Sequence, residues 1–472
     1  MSRVALSAHD GGDRLAPVWI GLLLMLAVLP VPFGSNRPLA WSVMALCTSL
    51  LLAGWTVSLG CGYRRLVWRP ALAVPLLCAV AVIGWVLLST VPSAGFAHPV
   101  WAMTSEAFGR AVTDRMALSA EAALVGLMRL LAYMSIFWLS LQYCRDRGRA
   151  DMMLKWVSWC GLLLAAYGLI NYFAGNAYSL WYARWIGQAD VTSTFVNRNH
   201  YATYAGLGLL CAAALGIAAF RSAWQVSDRS QRPFPRTLEC LIGRPLVYFV
   251  ITLIIAMAWL QSHSRMGVAA VLVGVVVMIA LMMGVKIIRR QRFAWAVAVL
   301  MLLFLFQVSG GVTLERLGAT TGEAERGPLY SIVIDQILDA PYAGSGYGSF
   351  AQSFLIYRDL RLPGTTMFYQ AHNSYLELAA ELGVPMTLLL LLAIGWCAGL
   401  CLSGAFRRAR SQIYPIVAVA ATVVVGVHAL VDFSAQIPAV AALYAALLGM
   451  GVAQSWSTND ASGRAPEARR AL

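Results

Sequence analysis

Val384-Pro385-Met386-Thr387-Leu388-Leu389-Leu390-Leu391-Leu392-Ala393-Ile394-Gly395-Trp396-Cys397-Ala398-Gly399-Leu400-Cys401-Leu402-Ser403-Gly404 runs without a single charge. At about 1.5 Å per residue, a helix of this length reaches across the ~30 Å hydrocarbon layer of a bilayer. Downstream come Arg407, Arg408 and Arg410; upstream lies the longest polar stretch of the chain, 309–383. The run therefore reads as a membrane span with a basic cytoplasmic end and a polar outer loop in front of it.

The rest of the chain repeats this pattern. Only 12% of the 472 residues are charged and 60% are hydrophobic, whereas a soluble domain carries about 25% charged residues. Recurrent long apolar runs satisfy their backbone hydrogen bonds as helices rather than as a barrel. Twelve spans are predicted: 15–33, 38–59, 70–91, 119–142, 152–173, 200–221, 245–262, 266–285, 293–309, 384–404, 413–431 and 437–454. The fold class is thus an all-α polytopic membrane protein, one integral membrane domain over 1–472. Arginines and lysines crowd the loops after even-numbered spans, such as Arg145, Arg147 and Arg149, or Lys286, Arg289, Arg290 and Arg292. The positive-inside rule puts those loops and both termini in the cytoplasm. The net charge of +14 is then a topology signal, and nucleic acid is not an expected partner.

Arg3 and Arg14 precede the first apolar run, and no A-x-A cleavage pattern follows it, so a retained helix is expected. The tail 455–472 is small, polar and basic, and is expected to be a disordered cytoplasmic segment. The nine cysteines lie in spans or basic loops with no CxxC spacing, as small buried apolar residues do.

Four outer features remain: 92–118, 174–199, the turn 262–265 and the long loop 310–383. In that loop, Gly327-Pro328 opens a predicted amphipathic helix to Ala340, with Ser331, Asp335 and Asp339 on one stripe, closed by Pro341. Gly344-Ser345-Gly346-Tyr347-Gly348 reads as a hinge. A second helix is predicted from Asn373 to Leu382, with Gly383 just past its end. The loop shows no core of its own in the sequence and reads as a lid.

All histidines except His9 fall near outer helix ends, and His372 starts the second loop helix. There the positive end of the helix dipole disfavours imidazolium, which suits a general base. Arg198, in Phe195-Val196-Asn197-Arg198-Asn199-His200, and Arg265, in Ser262-His263-Ser264-Arg265, stand on the side where topology disfavours positive charge. Two readings apply to them: snorkelling helix ends on lipid phosphate, or a bidentate anion site. Arg129 lies about ten residues into the fourth span, where a charge costs at least about 2.5 kcal/mol and faces a partner or a cavity. It reads equally as a structural ion pair or a substrate contact, with Asp432 a candidate partner. Asn199, His200, Asn373 and Tyr375 are further candidates for binding or structural roles. No D-x-D, H-E-x-x-H or G-x-S-x-G is present, so neither a metal ion nor another cofactor is expected.

Phe195-Val196-Asn197-Arg198-Asn199-His200, Ser264-Arg265-x-Gly267, Pro341-x-x-Gly344-x-Gly346-x-Gly348-x-Phe350, His372-Asn373-Ser374-Tyr375-Leu376 and Val431-Asp432-Phe433, in this order, resemble the bacterial O-antigen ligase and polymerase superfamily. The resemblance covers most of the chain from the sixth span onward. It implies a GT-C-type glycosyltransferase of the inner membrane with a periplasmic active site, metal-independent and inverting. The implied donor is O-antigen polysaccharide on undecaprenyl diphosphate. The implied acceptor of a ligase is a sugar hydroxyl of lipid A-core oligosaccharide, in lipopolysaccharide assembly. Carried onto this chain, the resemblance makes His372 the base that takes the acceptor proton, with Arg265 and Arg198 on the diphosphate. A polymerase and a protein O-oligosaccharyltransferase use the same donor and stay open. A transporter of lipid-linked sugars is the alternative from another class, although transporters place polar breaks at the midplane and here the histidines gather at the outer surface.

Overall fold

The computed structural model describes residues 17–63, 65–92, 97–112, 114–184, 188–227, 233–287, 326–362 and 367–457. The ninth expected span at 293–309, the first part of the long loop, Arg3, Arg14 and most of the C-terminal tail lie outside them. Eleven of the twelve expected spans contain a helix: α1 (Pro17–Val28), α2 (Pro38–Gly60), α3 (Ala73–Ser89), α5 (Ala120–Tyr143), α6 (Arg147–Phe173), α7 (Arg198–Val226), α9 (Arg244–Leu260), α10 (Arg265–Gly284), α14 (Val384–Arg407), α15 (Ile413–His428) and α16 (Pro438–Ala453). Between them lie the short helices α4 (Val100–Phe108) and α8 (Pro233–Leu241), and three loop helices, α11 (Arg326–Asp339), α12 (Phe350–Tyr357) and α13 (Ser374–Leu382).

Among the described residues seven helices are long and apolar enough to cross a membrane, those in α2, 70–89, α5, α6, α7, α10 and α14. The protein is a helical membrane protein. The other four expected spans are shorter. The first ends at Val28 rather than at residue 33, because Pro30 and Pro32 supply no amide hydrogen to continue the ladder.

The centre of the bundle is α7, with 78% of its apolar window buried, together with α15 and α16. α7 packs on α6, α9, α10 and α15, while α16 packs on α5 and α15. The sequence of α16, Pro-Ala-Val-Ala-Ala-Leu-Tyr-Ala-Ala-Leu-Leu-Gly-Met-Gly-Val-Ala, explains this. In a membrane, small residues let backbones approach where the hydrophobic effect no longer drives helices together. A Cβ on Gly449 would lie 2.3 Å from the carbonyl oxygen of Phe137 on α5.

The long loop differs from its sequence reading in two ways. Its described part has a core: Leu329, Ile332 and Val333 of α11 pack with Phe350 and Phe354 of α12, Leu362, Ala371, and Ala380 of α13. The apolar face of α11 is therefore turned inward onto the other loop helices, which periodicity alone could not distinguish from a face laid on lipid. The glycine segment is also packed. Gly344 has φ +68° and its Cβ would sit 2.4 Å from the carbonyl oxygen of Glu381; Gly346 presses on Ala117. These glycines permit close backbone contact.

In 174–199 a two-residue hairpin, β1 (Tyr178–Ser179) paired antiparallel with β2 (Tyr182–Ala183), folds back before α7 begins.

Candidate active site

Three helices start at one place, each capped by a side chain. Asn197 accepts from the Asn199 amide ahead of α7, Ser264 from the Gly267 amide ahead of α10, and Asn373 from the Tyr375 and Leu376 amides ahead of α13. Direct hydrogen bonds tie these starts together. Ser264 Oγ donates to Asn199 Oδ1 at 2.7 Å, and Asn199 Nδ2 donates to Asp432 Oδ1 at 3.2 Å. Ser374 Oγ donates to the carbonyl of Asp432 at 3.0 Å. Helix N-termini carry about half a positive charge each, so three in one place favour an anion. Arg198 and Arg265 are the first residues of α7 and α10.

Asp432 sits at the centre, in the turn between α15 and α16, and is fully buried. Its Oδ2 accepts from the Ser434 amide at 3.1 Å and from the Ser434 hydroxyl. His200 Nε2 lies 3.8 Å from Oδ2 and His372 Nδ1 lies 3.9 Å from Oδ1. Both imidazoles meet the Phe433 ring edge-on, with centroids 4.6 and 5.1 Å away. Burial alone would raise the Asp432 carboxyl, but the nearby imidazoles of His372, His200 and His428 and the hydrogen bond from Ser434 hold it well below the usual carboxylate range. Asp432 is therefore an anion in the fold, built to orient donors.

Exposure separates the histidines. His98, His200, His263 and His428 are 1–5% exposed, while the His372 side chain is 35% exposed. His428 is held by the Thr203 hydroxyl at 2.6 Å and His263 by Asp190 at 3.1 Å. His372 alone among the described histidines can meet a substrate. It precedes the cap of α13 with φ +53°, and its carbonyl accepts from the Tyr330 hydroxyl at 3.0 Å.

The structure brings Arg198, Asn199, His200, Arg265, His372, Asn373 and Asp432 together, with changed roles for some. Arg198 Nη1 is bonded to the buried Asp190 at 2.7 Å. Asn373 is committed to capping, and the Tyr375 hydroxyl to the Gly426 carbonyl at 2.8 Å, so both hold the scaffold. Arg129 is not the partner of Asp432. Its guanidinium stands 5.0 Å over the Trp41 ring, and its field reaches Glu377, Glu381 and Tyr347.

Glu377 and Glu381 carry part of the site and were not anticipated. Glu377 accepts from the Ala371 amide at 2.7 Å, fixing the residue before His372, and Glu381 from the Phe350 amide at 2.9 Å. Burial pushes both carboxyls above the ordinary glutamate range, and their mutual repulsion adds to it for Glu377. Two acids spaced i, i+4 on a short helix were a readable signal; their burial was not. Asp190 was likewise missed, although it is the one acid in 174–199.

The pair makes stability depend on pH. A carboxyl raised on folding keeps a proton that the unfolded chain has already released. Its stabilising effect is present at low pH and lost as pH rises from the ordinary glutamate value of 4.5 toward and past neutrality. The melting temperature in detergent should fall across that window, and Glu377→Gln should flatten the fall. An unaltered slope in both Glu377→Gln and Glu381→Gln would contradict the burial assignment.

Among the described residues no group of three or more His, Cys, Asp or Glu is placed to hold a metal ion. Compared with known families, residues 250–391 match a family model described as O-antigen ligase. The matched stretch contains Arg265 and His372; Arg198 precedes it and Asp432 follows it. No curated protein matches the chain.

Proposed function

Because the O-antigen ligase domain at residues 250–391 places the chain in the O-antigen ligase/polymerase superfamily, we propose that it is the ligase of lipopolysaccharide assembly. It transfers polysaccharide from undecaprenyl diphosphate to a sugar hydroxyl of lipid A-core oligosaccharide. The fold is of the GT-C type, the membrane is the bacterial inner membrane, the termini are cytoplasmic and the site faces the periplasm. The observation that carries this reading is the one accessible histidine among the described residues, beside a buried, ionised aspartate and set among three helix N-termini and two arginines.

In the reaction, His372 takes the acceptor hydroxyl proton on Nε2 while the acceptor oxygen forms a bond to the donor's anomeric carbon. The anomeric carbon–oxygen bond breaks, its electron pair leaves on the diphosphate, and the configuration inverts. Asp432, facing Nδ1, favours the imidazolium as it forms. The helix starts and the Arg198 and Arg265 guanidiniums offset the charge gathering on the diphosphate, the kind of preorganised stabilisation that matches or exceeds a positioned base. No step needs a metal ion.

Purified protein given labelled lipid-linked donor should label lipid A-core. Label on a second lipid-linked chain would make it a polymerase, and label on a pilin-like protein an O-oligosaccharyltransferase. Movement of donor across liposomes with no new glycosidic bond would overturn the enzyme reading. Arg198→Gln and Arg265→Gln should each weaken donor binding roughly tenfold, the scale of one charged hydrogen bond.

A further inference from the structure

The loop between α6 and α7 holds a guanidinium that the reaction above does not use. Arg184 follows β2, and its Nη2 donates to the Ser193 carbonyl at 2.7 Å. Its Nε and Nη1 are buried and have no hydrogen-bond partner among the described residues. Arg184 forms part of the wall of a cavity shared with Phe33, Ser179, Tyr182, Thr192 and Phe195. Burial holds this guanidinium below its ordinary value. Leaving a cation's donors dry and unpaired is among the costlier arrangements in a fold. An oxyanion in the cavity would remove that cost.

Arg198 makes the contrast. It lies two residues beyond Val196, which also lines the cavity, but its Nη1 already has a buried carboxylate partner. Asp190, Thr192, Ser193 and Arg198 all belong to the segment that leads into α7, so the cavity borders the candidate active site. Three of its lining residues, Phe33, Tyr182 and Phe195, are aromatic. Tyr182 is 47% exposed and packs edge-on against Phe33, and the neighbouring Trp181 and Tyr178 are 72% and 57% exposed. Exposed tryptophan and tyrosine collect at the headgroup level of a bilayer, which is where a lipid carries its phosphate. A guanidinium fork matches phosphate oxygens with two parallel hydrogen bonds.

We propose that Arg184 and the cavity beneath Tyr182 form a binding site for a phosphate group carried on a lipid. Under the ligase reading, on which this identification of the lipid rests, the occupant is the diphosphate end of the polyprenyl donor. The same chemistry is also offered by a phospholipid headgroup, and binding separates the two. The full-length protein in neutral detergent would be titrated with farnesyl diphosphate, with short-chain phosphatidylglycerol, and with farnesol as the uncharged control.

Wild-type protein should bind farnesyl diphosphate saturably and farnesol at least about tenfold more weakly. Arg184→Gln should lose roughly tenfold in affinity for farnesyl diphosphate. Arg184→Lys keeps the charge without the fork and should fall between the two. Tyr182→Ala, at the rim, gives a further variant should Arg184→Gln fold poorly, and should weaken binding several-fold. A loss confined to phosphatidylglycerol would keep the lipid-phosphate site and assign it to the membrane. Unchanged affinity for both lipids in Arg184→Lys and in Tyr182→Ala, or in Arg184→Gln where it folds, would overturn the proposal. No acceptor is present and no transfer is read, so failure of the ligase assay and failure of this site are separate results.

Discussion

His372→Ala is expected to lower glycosyl transfer by about 10² to 10⁴, the range a positioned general base supplies, with protein level and melting temperature close to wild type. The structure explains why the loss should be catalytic. The ring is partly exposed, and its packing is an edge contact with Phe433. The backbone around it is held by other residues, through the Tyr330 hydroxyl on the His372 carbonyl and Glu377 on the Ala371 amide. Because residue 372 has φ +53°, His372→Asn is the better second variant, since asparagine tolerates the left-handed region. It should be as inactive as the alanine variant. Transfer within a few fold of wild type in both, at normal protein level, would remove His372 from the mechanism.

Asp432→Ala is expected to have the largest effect on stability. It removes a buried anion that Asn199 and Ser434 donate to and that stands within 4 Å of two imidazoles. Breaking such a network from one side costs about 3–5 kcal/mol, and a clear drop in melting temperature should follow. Asp432→Asn separates folding from catalysis. Its amide keeps the shape but must turn its NH2 toward Asn199 Nδ2 or toward the Ser434 amide, losing one hydrogen bond of about 1–3 kcal/mol. For transfer, the Asn variant should lower kcat by roughly 10- to 1000-fold, within the range of a lost electrostatic partner, with KM for the donor little changed. A rise in KM with unchanged kcat would make Asp432 a binding residue and not the positioner of His372.

Much of this site was readable in one dimension. His372, Arg198 and Arg265 could be singled out because each breaks a rule that its surroundings obey, a polar or positive group at a helix end that the charge bias assigns to the outer side and where hydropathy and that bias predict neither. The helix start at Asn373 and its end at Gly383 were legible for the same local reason, since caps are chosen by backbone groups a few residues away. Residues whose roles depend on distant partners were not legible. Nothing local indicates that Asp190 answers both Arg198 and His263, or that Arg129 faces α13 rather than Asp432. Nor could the apolar stripe of α11 show whether it met lipid or Phe350 and Phe354.

The sequence by itself determined that this chain is a bundle of apolar helices joined by polar loops at one end and basic loops at the other, because a bilayer allows few other ways to satisfy a backbone. It also marked the helix starts that meet at the candidate site. Only the tertiary structure decided which starts meet, that Asp432 is their common centre, and that His372 is the exposed histidine among the five described. Burial and hydrogen bonding decide these roles, and both depend on neighbours as far apart in the chain as Asn199 and Asp432.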